Sequence, residues 1–458
     1  MLRIAIPLAC AELGWMFMSV VDNIMVGRLP NSAAAIGAAS LGSASFYAFA
    51  IFGIGLMAGL DTLVSQAFGA GNLPDARRAF AASLTLAAIT APILAVAILA
   101  LTPLLGLLGV TPGIRNDATA FAQILVCSLP LLLLYTCFRR YLQGIHHVRP
   151  ITWALITSNL VNLAGNWILI YGHQIGSWAF PCLGVRGSAL STVIARVYLA
   201  AFLLYAVHRR DPVALRHLRP DPGVVRRLFR LGFPAALTIG FEVGIFNLST
   251  ALVATLDPIS LAAHTIVLNA SSVTYMVPLG IGSAAAVSVG RSLGAGDAPD
   301  AARAGWIALG LVSLYEVLSA IGFVLFPRQI AYLYTHDEHV ISLSVSLFAI
   351  AAVFQLFDGL QTVATGALRG AGNTKTAMKW NLICYWIVAL PLACFLGLSS
   401  GQVLSPQALK AQSAAGVIGF VLHWGVVGIW DSLCLALILI GVGLVAKWYF
   451  LTKFWKNT

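Results

Sequence analysis

Along nearly its whole length the chain goes ~20 residues at a time without a charge, which is the length that crosses ~30 Å of hydrocarbon as a helix. About twelve such segments can be marked off with a ~19-residue window. Of the 458 residues, 59% are hydrophobic and 9% charged, with a mean hydropathy of +0.90, far from soluble composition. Runs such as "LLLLY" and "ALILIGVGLVA" are continuous rather than alternating, so a bundle of membrane helices is expected and a barrel is not. The first segment starts near Arg3 and reaches Asp22 and Asn23 with no small-residue cleavage site, which predicts a retained helix rather than a signal peptide.

The formal net charge of +11 is a matter of topology, and no nucleic-acid partner is expected. If successive helices alternate direction from an internal N-terminus, 21 of the 27 Lys and Arg fall on the cytoplasmic side. Arg28, Arg115, Arg186, Arg328 and Lys410 fall opposite, and Arg196 lies inside a helix. This bias predicts cytoplasmic N- and C-termini. Seven cysteines without C-x-x-C spacing predict no disulfide framework and no metal site. "HDEH" at 336–339 reads as a solvated loop.

The two halves of the sequence resemble each other at an offset of about 226 residues. "VSQAFGAGNLPDARRA" at 64–79 aligns with "VGRSLGAGDAPDAARA" at 289–304, "RIAIPLA" with "RLGFPAA", and "YLQGIHHVRPIT" with "ALRGAGNTKTAM". The expected fold is therefore an all-α polytopic membrane protein of twelve transmembrane helices, in two six-helix lobes related by a parallel internal repeat. The lobes are expected at 1–207 and 231–458, joined by an Arg- and Pro-rich cytoplasmic linker at 208–230. Carriers built this way commonly bind their cargo between the lobes.

Most of the 16 acidic residues fall in loops; Glu12, Asp22, Asp61, Glu242, Glu316, Asp358 and Asp431 fall in or at the ends of helices, against one clearly intramembrane base, Arg196. Carboxylates in such surroundings must be paired, protonated, hydrated or occupied by an exchanging cation. Glu242 on the seventh helix and Asp358 on the tenth are the deepest by residue count, and facing each other they would make a dyad that holds H⁺ or Na⁺. Phe354, Gln355 and Gln361 are three or four residues from Asp358 and share its helix face. That face suits an organic cation, or ties helices together by hydrogen bonds. Asn159, Asn162 and Asn166 form a polar stripe on the fifth helix, expected beside Asp22 to line a cavity. Asp61 and Asp431, nearer helix ends, read as snorkelling or capping groups. Gly-rich "FGAGN" and "LGAGD" lack the phosphate-loop pattern and read as helix stops.

"VVDNIMVGRL", "GLDTLVSQAFGAGN", "FEVGIFNLSTALVATLDPISLAAHTIVLN", "PLGIGSAAAVSVGRSLGAGD" and "FDGLQTVATGALRGAGNTKTAM" together resemble the multidrug and toxin extrusion (MATE) family in its bacterial NorM-like branch, over essentially the whole chain. The resemblance implies a cytoplasmic-membrane antiporter that exports cationic, mostly aromatic small molecules in exchange for H⁺ or Na⁺, without further cofactors. No enzyme is expected, since the sequence carries no H-E-x-x-H, clustered-Asp or Ser/His motif in its helices. It makes Glu242, Asp358 and Asp22 the coupling acids, with Asn162 and Asn166 polar positions near Asp22. Two positions depart from the family pattern. Phe354 stands where Tyr is frequent, which favours H⁺ over Na⁺, and Glu12 stands where a neutral polar residue is expected. The chain is expected to act as a monomer. The alternative is a flippase for lipid-linked precursors, which would need a cavity lined by bases.

Overall fold

A computed structural model describes residues 1–103, 111–172, 174–175, 178–179, 181–215, 220–397 and 424–457. Eleven helices among them are long and apolar enough to cross a bilayer. A further span is formed by Pro112–Cys127 and Leu129–Gly144, bent by 46° where Pro130 withholds an N–H from the helix ladder. In chain order the spans are Leu2–Val26, Ser32–Gly69, Leu73–Leu101, the bent pair, Arg149–Tyr171, Val185–Arg210, Pro222–Ala254, Pro258–Gly294, Ala298–Leu325, Glu338–Gly370, Thr374–Gly397 and Val426–Trp455. They are numbered first to twelfth. The only strands among the described residues are a two-residue hairpin, Gln174–Ile175 with Trp178–Ala179.

The architecture is that of an all-α polytopic membrane protein with two sets of six spans, the halves of the internal repeat. Pro7 and Pro234 occupy matching places inside the first and seventh spans. Between the halves the sixth span runs to Arg210, a 3₁₀ turn covers Pro212–Leu215 and the seventh span starts at Pro222. Linker residues 216–219 and the long loop at 399–416 lie outside the described residues.

Gly71 and Gly296 take the left-handed conformation, with φ of +71° and +78°. The amide after each donates back to a carbonyl five residues earlier, Asn72 to Ala67 and Asp297 to Ser292, both at 2.9 Å. This is the geometry of a glycine helix stop. Asn72 and Asp297 then accept from the amides of Asp75 and Asp300, opening the next helix. The repeated "GAG" segments thus turn the chain between spans.

The described chain forms two compact units. The first comprises Met1–Leu237, Ala286–Ala301 and Arg369–Gly372; the second comprises Thr238–Ala285, Ala302–Leu368 and Asn373–Thr458. In the first unit, repeat-related Gly69 and Gly294 allow two helix ends to cross at backbone contact. A Cβ on Gly69 would sit 2.0 Å from the Arg291 carbonyl oxygen, and one on Gly294 2.0 Å from that of Gln66.

Candidate functional site

In the first unit, Asp22 on the first span lies against the fifth and sixth. Asn166 Nδ2 donates to Asp22 Oδ1 at 2.5 Å and to Asn162 Oδ1 at 3.2 Å, and Thr192 Oγ1 donates to Asp22 Oδ2 at 3.2 Å. Asn162 and Asn166 are one helical turn apart, which lets both serve one acid. Asn159, the third member of the stripe, turns away and donates to the Gly14 carbonyl at 2.9 Å, so one stripe both surrounds an acid and ties two helices. A cavity of about 50 Å³ opens beside Asp22, lined also by Trp15, Tyr47 and Arg196. That volume admits water or a bare ion but not a drug-sized molecule. Arg196 is fixed by neutral partners, donating to Ser128 Oγ at 2.6 Å and Tyr47 Oη at 3.0 Å, with its guanidinium 4.7 Å from the Phe46 ring centre.

Three further acids in or at the ends of helices of this unit, Glu12, Asp61 and Asp211, are paired with bases. Glu12 forms an ion pair with Arg139. Asp61 is wholly buried, 2.6 Å from Arg140 and 3.6 Å from Arg369, so it neither snorkels nor caps. Its partners come from the fourth and tenth spans, far away in sequence. Thr62 and Gln66, further along the same helix, donate to the carbonyls of Arg369 and Gly370. Asp211, just past the sixth span, takes a two-pronged contact from Arg77 at 2.8 and 2.9 Å and a hydrogen bond from Tyr141 at 2.6 Å.

The second unit has a different chemistry. Tyr275 on the eighth span donates to Glu242 Oε1 at 2.8 Å and accepts from Thr362 at 3.2 Å. Gln361 Nε2 donates to Asp358 Oδ1 and to Tyr385 Oη, both at 3.1 Å. Asp358 interacts electrostatically with Glu242 and Glu316. None of the ion pairs among the described residues reaches any of these three carboxylates.

The residues placed on one face with Asp358 split into two directions. Phe354, 2% exposed, packs between Phe246 and Trp430, with ring centres at 5.9 and 5.5 Å. Gln361 lies on that side. Gln355 turns to the other, accepting from Ser319 at 2.8 Å and donating to Thr274. At 100° per residue, positions 354 and 361 fall on one flank of 358 and position 355 on the other, so Asp358 sits at the boundary between an aromatic cluster and a polar seam.

Tyr275, Thr362, Tyr385 and Glu316 were not singled out as site residues by the sequence. A lone Tyr in an apolar helix carries no signal until the fold sets it against an acid. Tyr385 belongs to a π-helical stretch, Leu382–Ala389, in which Trp386 also donates to the Phe241 carbonyl at 3.2 Å. Such wide turns rotate side chains out of α-helical register and recur at functional sites.

A bilayer-spanning chain of two six-span repeats, with carboxylates inside each half, belongs to the class of polytopic membrane transporters. The MatE family model matches residues 7–168 and again 234–395, one match per half, and the chain belongs to this family. The multidrug resistance protein NorM of Burkholderia vietnamiensis is 35% identical over 92% of this chain and 92% of its own length. The NorM of Vibrio cholerae is 30% identical over 93% and 94%. Among solved structures, an outward-facing multidrug resistance MATE family transporter of the MOP superfamily matches with a TM-score of 0.85, covering 100% of this chain and 96% of that one at 17% identity. The eukaryotic MATE transporter AtDTX14 matches at 0.80, covering 99% and 96%, at 19% identity. At those identities the structures speak for the fold alone.

Proposed function

We propose that this chain is a multidrug antiporter that exchanges an organic cation for H⁺ or Na⁺. The observation that carries the reading is the second-unit site, where Glu242 and Asp358 lie inside the spans with neutral hydrogen-bond donors and no Lys or Arg ion pair among the described residues. An unneutralised carboxylate in a membrane interior is costly, and a site holding two is relieved by taking up a proton, Na⁺ or an organic cation. If ion and drug need the same carboxylates, binding one weakens the other, and the coupling is reciprocal. The names of the NorM relatives support drugs as cargo.

Asp22, in its cage of Asn162, Asn166 and Thr192, is the first-half acid of this cycle, and Phe354 with its aromatic neighbours supplies surface for aromatic cargo. The protein lies in the cytoplasmic membrane of a bacterium with both termini inside, as the Lys and Arg bias directs, and works as a monomer.

The test is efflux of a fluorescent organic cation from proteoliposomes, driven separately by a pH gradient and by a Na⁺ gradient, for wild type and Asp358→Asn. Efflux with one gradient, lost in the variant, is the expected result and names the ion. A folded wild type indifferent to both gradients would refute exchange and turn attention to the flippase. That reading wants a base-lined cavity, and Arg196 is the one base lining the Asp22 cavity.

A further inference from the structure

Glu316, midway along the ninth span, is an acid the cycle above does not use. It is 1% exposed, and its Oε2 is buried without a hydrogen-bond partner among the described residues. The same helix face carries Ser319, one turn on, which donates to Gln355 of the tenth span. Tyr315 donates to the Thr274 carbonyl of the eighth at 3.2 Å. The ninth span is therefore fixed against the polar seam beside Asp358.

The Glu316 side chain lies on Gly359, the residue after Asp358. A Cβ at 359 would come 2.6 Å from Glu316 Cγ and 3.0 Å from its Oε1, so the carboxyl occupies room that only glycine leaves open. Asp358 is in electrostatic reach of Glu316 as well as of Glu242. The titratable groups on this side are Tyr315 on the same helix and Asp358, then Glu242, Tyr275 and Tyr385 beyond it. No ion pair among the described residues includes Glu316. A polar group so enclosed is expensive unless something satisfies it. Helix-to-helix hydrogen bonding among the described residues does not, because Oε2 meets no donor there.

We propose that Glu316 is a third binding acid of the second-unit site, a carboxyl that takes up the small monovalent exchange cation, H⁺ or Na⁺, next to Asp358. This rests on the exchange reading. It adds a cation position on the ninth-span flank, the side of Asp358 opposite the Phe354 aromatic cluster. Cation and aromatic cargo then approach Asp358 from different directions, and uptake of the cation at Glu316 stabilises a negative Asp358 less than it would at a shared position.

The test begins with the intact wild-type protein in liposomes treated with dicyclohexylcarbodiimide, which adds to protonated carboxyls in apolar surroundings, and the adducts are mapped by mass spectrometry. An adduct at Glu316 that declines as pH rises identifies proton uptake, and one that also declines with added NaCl, but not choline chloride, identifies Na⁺. Labelling at Asp358 or Glu242 but at no pH on Glu316 overturns the proposal while leaving exchange intact. In parallel, Glu316→Gln should slow gradient-driven efflux by about tenfold and shift its pH or Na⁺ profile, with Glu316→Asp partly restoring both. Gly359→Ala, which crowds the carboxyl, should move the profile in the same direction. Glu316→Gln with a wild-type profile overturns the proposal, and if that variant does not fold, the labelling of the wild type decides. Loss of gradient-driven efflux in the wild type itself would instead strike the exchange reading.

Discussion

The helix-buried acids of the two units are treated in opposite ways. In the first unit Glu12 has Arg139 and Asp61 has Arg140 and Arg369. Asp211 at the sixth-span end has Arg77, and Asp22 has two oxygens held by Asn166 and Thr192. In the second unit Glu242 accepts from one phenol, Asp358 from one amide, and Glu316 Oε2 from nothing among the described residues. A carboxylate with a fixed cation is a structural tie. A carboxylate without one is available to a mobile cation. The repeat duplicated the helices, but the acids are not copies of one another: fixed Arg partners concentrate in the first unit, and carboxylates without an ion pair among the described residues concentrate in the second.

The comparison is broken most easily by neutralising acids on both sides. Asp358→Asn and Glu242→Gln should each reduce gradient-driven efflux by about a hundredfold or more, while the melting temperature in detergent holds or rises because no buried base is orphaned. A large fall in melting temperature with efflux intact would reverse the assignment. Asp61→Asn should behave in the opposite way. It leaves Arg140 buried and unpaired, at a cost of about 3–5 kcal/mol, read as a strongly lowered melting temperature. The Asp61→Asn, Arg140→Gln double variant should recover part of that loss. Asp22→Asn falls between the two. It removes charge-assisted acceptors worth about 1.5–3 kcal/mol, and its efflux should drop by less than that of Asp358→Asn in the same assay.

Much of this contrast is visible in the sequence, and the missing part has a physical origin. The spans and the repeat are legible because hydrocarbon thickness fixes helix length and because duplication leaves matching turns. Asn162 and Asn166 are legible as one face because they sit one turn apart, and the fold brings Asp22 to them. The pairings of Glu12 and Asp61 are not legible. Arg139 and Arg140 stand at a helix end, where basic residues read as orientation signals, and only packing shows that they reach inward. Tyr275, and the place of Glu316 beside Asp358, are hidden for a related reason. Each sits among small polar residues of an apolar helix, and its meaning depends on which neighbouring helix it meets. The split of Phe354 from Gln355 is lost when a face is drawn too wide, since adjacent residues diverge by about 100°.

The smallest expected effect sharpens the comparison through pH. Burial opposes ionisation of Asp211, but the hydrogen bonds from Arg77 and Tyr141 and the Arg77 charge outweigh it and hold its carboxyl below the ordinary 3.8. A carboxyl lower in the folded than in the unfolded chain contributes stability that is fully present above the unfolded value. That stability is lost as pH falls through the folded value. Asp211→Asn should therefore lower the melting temperature near neutral pH by the equivalent of about 1–2 kcal/mol, a size limited by the partial exposure of Arg77. The gap to wild type should stay constant down to about pH 4 and close below it. Efflux per folded molecule should match wild type, since the pair lies past the sixth span and outside the proposed exchange site. A gap that instead opens on acidification would mean that Asp211 is not ionised in the folded protein, and the first unit would lose one of the fixed pairs that set it apart from the second.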